Sequence, residues 1–160
     1  MPIPKKILVP VDFSPSSLAA LEMALELAAQ FRASFELLHV WEPPPIYGPD
    51  ALVAGGMSLY AEIEEYSSRA AKKEMESLVA RLQQRGFSDL RTHVERGVPA
   101  PWILDTARKG GFDMIVMGTH GRTGVSRFLM GSVAEKVVRL AQVPVLTVRQ
   151  PDEAGAVSFA

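Results

Sequence analysis

Apolar and polar residues alternate along this chain in two different rhythms. Short apolar runs occupy residues 5–11, 113–117 and 144–148, and residues 34–40 read as a further strand. Between them lie longer stretches whose apolar residues recur every three or four positions. Short, nearly continuous runs fit strands of a parallel sheet covered on both faces, and the three-to-four spacing fits helices packed on it. Residues 90–95 behave differently. Leu90, Thr92 and Val94 alternate with Arg91, His93 and Glu95, which predicts a partly exposed strand at a sheet edge.

Local signals place the helices. Ser14 followed by Pro15 is a helix start, with Ser as N-cap and Pro at the first helical position; Leu18, Leu21, Leu25 and Ala28 form its apolar stripe. Residues 58–85 predict a long helix with Leu59, Ile63, Tyr66, Ala70, Met75, Leu78 and Leu82 inward, a Glu65–Arg69 pair on its solvated side and Gly86 as its stop. Residues 99–108 and 132–141 give two shorter helices. Pro43, Pro44, Pro45, Pro49, Gly55 and Gly56 forbid regular structure between residues 42 and 56, so that segment is expected to form a mobile flap. Strands alternating with helices predict an α/β fold, a single doubly wound parallel five-stranded sheet with helices on both faces. Residues 1–150 make the domain, and 151–160 are expected to be a flexible tail.

Composition narrows the classes. A chain of 160 residues accommodates one domain with a substantial core. The net charge of −1 provides no electrostatic footprint for nucleic acid or an anionic membrane, so neither is an expected partner. With no Cys, disulfides, thiolate catalysis and Cys-based metal sites are excluded. No apolar run approaches the roughly 20 residues of a membrane span, and a cytoplasmic protein is expected.

The most informative stretch is Gly118-Thr119-His120-Gly121-Arg122, followed after nine further positions from Gly121 by Gly131-Ser132-Val133. Three glycines at these offsets arise by chance in roughly one chain in twenty at ordinary glycine usage. Their placement adds weight, because they leave an apolar strand and enter a helix. Glycines let the backbone approach an anion, and the helix start aims unpaired N–H groups at it. Ligands of such sheets bind beyond the carboxyl ends of strands where strand order reverses. Asp12, Val40-Trp41 and Gly118 all stand at such ends. The pattern is neither a Walker loop nor the dinucleotide glycine fingerprint.

The chain resembles the universal stress protein family, in its ATP-binding branch, over about residues 3–149. The resemblance rests on Ile7-Leu8-Val9-Pro10-Val11-Asp12, Ile115-Val116-Met117-Gly118-Thr119-His120-Gly121-Arg122, Gly131-Ser132-Val133-Ala134 and the closing Pro144-Val145-Leu146-Thr147-Val148. It implies strand order 3-2-1-4-5 and a homodimer through the last strand, between Val143 and Arg149. It further implies that ATP is bound, Pro10, Val11 and Asp12 flanking the adenosine and Val40 meeting adenine through its backbone. Gly118, Gly121, Gly131, Ser132 and Val133 would then hold ribose and phosphates, and Met117 and Arg122 are counted with them as binding residues. The implied function is regulatory, a nucleotide-responsive homodimer of the stress response. The alternatives are a slow ATPase, an AMP- or cyclic-AMP-binding protein, or an interaction module without nucleotide.

Plainer roles stand beside these. Asp12 could simply turn the chain into its helix, Ser132 could be only an N-cap, and the glycines only turn residues. Arg122 and Arg127 could be solvated, or could pair with phosphate oxygens. His120 has no nucleophile signature beside it, so no catalytic residue is assigned. His39 and His93 read as structural, Trp41 as an adenine cover or a loop anchor, and Trp102 as core. No clustered ligand set is present, so no dedicated metal site is expected; Mg²⁺ would arrive on the ATP phosphates. Without a Walker-type lysine or a base to orient water, hydrolysis would be weak at most. Valine at Gly118 is expected to fill the pocket and leave the sheet folded.

Overall fold

A computed structural model describes residues 3–43, 56–120 and 130–149. The expected flap, most of the glycine loop and the tail at 151–160 therefore lie largely outside the described residues. The elements are β1 (Lys6–Pro10), α1 (Pro15–Phe31), β2 (Ser34–Trp41), α2 (Gly56–Gln84), β3 (Arg91–Arg96), α3 (Pro99–Lys109), β4 (Met114–Gly118), α4 (Ser132–Leu140) and β5 (Val145–Val148). The five strands are parallel in the order β3-β2-β1-β4-β5. That is the expected class and order, and it places β3 and β5 at the edges.

The apolar runs explain the centre. In β1, Ile7, Leu8 and Val9 are fully buried, because alternate residues enter two different cores. Ile7 and Val9 join α1 and α2 residues on one face; Leu8 joins Leu38, Ile103, Ile115 and Val137 beneath α3 and α4 on the other. Each such side chain contributes about 1.5–3 kcal/mol by leaving water. The α1 start is as predicted. Ser14 caps it by accepting the Ser17 N–H at 3.2 Å, and Pro15 opens the first turn. Its buried positions are mostly small (Ser17, Ala20, Ala24 and Ala28), which lets this helix approach the sheet closely.

The long helix departs from its expected stripe. Ala71, Met75, Leu78 and Leu82 are buried, but Leu59, Ile63 and Tyr66 are exposed, Tyr66 by 71%. In that first half Glu64 turns toward the sheet and binds Arg96 of β3 at 3.2 Å. The apolar residues are displaced to a neighbouring stripe. Gly86 ends the hydrogen-bonding pattern with φ +95°, a left-handed conformation that suits glycine.

One charged group is buried in the sheet. Glu36 of β2 is 6% exposed and meets Lys6 of β1 at 2.9 Å and His93 of β3 at 2.8 Å, with Arg91 at 4.0 Å. Burial by itself would raise its pKa, but the hydrogen bonds and charges of His93 and Lys6 outweigh this and hold it below the ordinary carboxylate value. A group depressed in the folded state stabilises fully above its unfolded pKa, and that stabilisation is lost as pH falls through the folded value. Glu36→Gln should therefore cost about 1–2 kcal/mol near neutrality, with the deficit shrinking in acid. Urea midpoints of both proteins between pH 7 and 3 check this; a constant offset would contradict it.

Candidate functional site

Strand order reverses between β1 and β4, since the chain leaves β1 toward β2 and returns to β4 on the other side. Two neighbouring loops depart there in opposite directions, opening a crevice at the crest of the sheet. A cleft of about 180 Å³ lies at this point. β1 lends it Pro10 and the following Val11 and Asp12; β2 lends Leu38 and Val40; β4 lends Met117 and Gly118; the start of α4 lends Gly131, Ser132, Val133 and Ala134. Its lining mixes apolar side chains, Pro99 and Ile103 of α3 among them, with the polar residues Ser17, Thr119 and His120.

Of the residues singled out from the sequence, Pro10, Val11, Asp12, Val40, Met117, Gly118, Gly131, Ser132 and Val133 converge here. Gly121 and Arg122, like Arg127, lie outside the described residues. Trp41 does not line the cleft; its carbonyl instead accepts the Gly97 N–H at 3.0 Å. Trp102 is half-buried rather than core and donates its indole N–H to the Arg96 carbonyl at 3.0 Å. Ser17, Leu38, Pro99, Ile103, Thr119 and Ala134 were missed. Leu38 was within reach, because residues two apart on a strand share a face with Val40. Pro99 and Ile103 depend on how α3 crosses the sheet, which no local signal encodes.

The polar groups at the start of α4 are main chain. Gly131, not Ser132, is the N-cap of α4, with extended φ and ψ and no side-chain cap bond. Ser132 is thus the first helical residue, and the first-turn N–H groups have no intrahelical acceptor. Such a start carries about half a positive charge. The Gly131 N–H donates to the Thr119 carbonyl at 2.8 Å, and the Thr119 N–H to the Val148 carbonyl at 3.0 Å, so the end of β4 holds this helix start in place.

Asp12 takes the plainer role as well as standing on the rim. Its Oδ1 accepts the Ser14 N–H at 3.0 Å and the Ser14 hydroxyl at 2.5 Å, turning the chain into α1. The next residue, Phe13, has φ +63°, a left-handed conformation costing a bulky residue about 1–2 kcal/mol. Strain of this kind persists only where surrounding contacts impose it.

Gly118 does not act as expected. A Cβ there would meet Ser16 Oγ at 2.7 Å, Ser16 C at 2.8 Å and Ser17 N at 2.8 Å, all in the first turn of α1. Its missing side chain makes room for a helix, while its backbone faces the cleft. His120 pairs through Nδ1 with Thr119 Oγ1 at 2.9 Å, and its Nε2 is buried with no hydrogen-bond partner among the described residues. No group of three His, Asp or Glu residues among those described could hold a metal ion.

A larger groove, about 520 Å³, runs between α3 and the end of α4. Its one carboxylate, Asp105, is engaged by Arg108 at 2.9 Å and Lys109 at 2.8 Å. It has neither a helix start nor a strand-end carboxylate. Convergent polar groups, not volume, single out the smaller cleft.

A parallel sheet in this order, with a glycine strand end and an uncapped helix start lining one cleft at the crossover, defines a doubly wound α/β protein. The sequence profile of the universal stress protein family matches residues 4–149, and the chain belongs to that family. It is 37% identical over 147 residues to universal stress protein MJ0531 of Methanocaldococcus jannaschii, covering 92% of this chain and 83% of that protein. With MJ0577 of the same organism it shares 32% identity over 155 residues, covering 91% and 95%. Among solved structures, universal stress protein UspA from Lactobacillus plantarum superposes with a TM-score of 0.76 at 27% identity, covering 91% of this chain and 97% of that one. A universal stress protein in complex with cAMP superposes with a TM-score of 0.60 at 25% identity, covering 94% and 100%.

Proposed function

We propose that this chain is an ATP-binding regulatory protein of the ATP-binding branch of its family, acting in the cytoplasm as a nucleotide-responsive homodimer. The observation that carries the reading is the cleft at the strand reversal, lined by Val40 and Met117 and by the uncapped start of α4. In this reading adenine lies against the apolar residues, near the Val40 backbone. Pro10, Val11 and Asp12 flank the nucleoside; a carboxylate close to the phosphates would repel them. The first-turn amides of Ser132 and Val133 receive phosphate, together with Gly118, Gly131 and the Gly121-Arg122 segment. Mg²⁺ would come with the phosphates.

Dimerisation through the last strand is supported by its position. β5 is an edge strand of half-buried Val145, Leu146, Thr147 and Val148, and Val138 and Leu140 of the adjoining α4 are exposed. A bare apolar edge is stabilised by pairing with a copy of itself.

A second reading is that a nucleoside monophosphate or cyclic AMP is the preferred ligand, favoured by the similar structure that holds cAMP. One experiment separates them. Calorimetric titration with ATP·Mg²⁺ should give measurable heat, with competition by ADP and weaker competition by AMP and cyclic AMP. No heat at millimolar ligand would end the ATP reading, and tighter binding of cyclic AMP would favour the second. Light scattering on the same samples should give the mass of two chains; a stable monomer at micromolar concentration would refute the dimer.

A further inference from the structure

One buried residue touches the rim of the cleft without lining it. We propose that His39 is a positioning residue for the nucleotide site, clamping the chain on both sides of Asp12 so that this carboxylate is oriented before ligand arrives. The inference rests on the cleft being a nucleotide site, as proposed above.

His39 lies on β2 and is 5% exposed. Its Nδ1 is 2.8 Å from the carbonyl oxygen of Val11, the residue before Asp12. A carbonyl only accepts, so Nδ1 carries the proton and donates it. The same imidazole packs against the ring of Phe13, the residue after Asp12, with centroids 4.5 Å apart and planes inclined at 51°. Phe13 is one of the described non-glycine residues with a left-handed backbone, φ +63°.

Each contact has an ordinary explanation alone; together they describe a clamp. β1 ends at Pro10, and the Val11 N–H donates to the Leu38 carbonyl at 2.8 Å. The Val11 carbonyl is then fixed by a side chain from the neighbouring strand. Beyond Asp12 the strained Phe13 turn is pressed on that same side chain, which is the support a left-handed bulky residue requires. Fixing residues 11 and 13 leaves Asp12 little freedom, and Ser14 binds its Oδ1 from the helix side. A rim group held this way meets its ligand without a loss of freedom on binding.

Filling space and donating a hydrogen bond are separable. Asn at position 39 offers an amide N–H close to where Nδ1–H stands, but not the ring; Leu fills volume and donates nothing. His39→Leu should weaken ATP·Mg²⁺ binding about tenfold or more in calorimetry, and His39→Asn should restore most of that loss. In ligand-free protein, hydrogen exchange of the Ser14 amide, which donates to Asp12, should accelerate in His39→Leu and stay slow in His39→Asn. In the unaltered protein, nitrogen NMR should find His39 protonated at Nδ1. If His39 only fills the core, both variants lose thermal stability while Ser14 exchange and affinity stay unchanged, and the proposal is overturned. An Nε2-protonated tautomer overturns it too, without any variant having to fold. If unaltered protein binds no nucleotide yet Ser14 exchange responds as stated, the clamp stands and the reading of the cleft falls.

Discussion

Gly118→Val should destabilise the protein by about 3 kcal/mol or more, and Gly118→Ala by about 1–3 kcal/mol, seen as lowered urea midpoints. The cause is the packing of α1 on β4. The nearest atoms to an added Cβ include Ser16 C and Ser17 N, which are backbone and cannot rotate aside. To admit a methyl group, the first turn of α1 must retreat. That turn is tied in from several directions. Ser16 Oγ donates to the Val148 carbonyl at 3.3 Å and accepts the His120 N–H at 3.4 Å, while Ser14 accepts the Ser17 N–H. Displacing it loosens the Asp12 turn and the end of β5 together. An alanine variant with an unchanged midpoint would show that α1 shifts freely and the packing claim is wrong. Loss of nucleotide binding in either variant is consequently not proof of a blocked cleft.

Ser132→Asp should do the reverse, sparing the fold and abolishing the ligand. Ser132 is exposed and opens α4, where a negative charge interacts favourably with the helix start by about 0.3–1 kcal/mol. Its unfolding midpoint should stay level or rise slightly. ATP carries its charge to the same amides under the proposed reading, so a resident carboxylate competes with phosphate. Like charges set against each other at an interface cost several kcal/mol, and affinity should fall at least about 100-fold. Ser132→Ala removes no required cap, because Gly131 fills that position, and should bind within a few-fold of the unaltered protein. Affinity retained by the aspartate variant would mean that the phosphates lie away from α4.

Sequence rhythm was enough to recover the layers and the class of sheet. A continuous apolar run such as Ile7-Leu8-Val9 fits a strand covered on both faces, as it is here, but the same pattern at 144–148 belongs to the half-buried edge strand β5, so the run marks a parallel strand and not its place in the sheet. Ser14-Pro15 was decisive because capping chemistry is local. Strand order was not readable in the same way and came through family resemblance. The α2 stripe failed for a physical reason. Spacing shows that Leu59, Ile63 and Tyr66 share a side of the helix, but not which side meets the sheet, and Glu64 gained an ionic partner in Arg96 that periodicity does not foresee. At the cleft, glycines and strand ends pointed to residues that the fold brings together, Asp12, Val40, Gly118 and Gly131. Whether Gly118 serves the ligand or the neighbouring helix depends on where α1 lands, a distant contact no motif records. His39 was set aside as structural, since its link to the rim appears only once Val11 and Phe13 are seen to flank it in space.

The two margins of the sheet are unlike. β3 presents Arg91, Thr92 and Arg96 to solvent, whereas β5 presents Val145, Leu146, Thr147 and Val148. A ribbon that is apolar along one border and salted along the other offers one seam suited to joining. If two copies pair there, as proposed, that border is used up and the charged one offers no second apolar seam, so growth would end with a pair instead of running on into a filament.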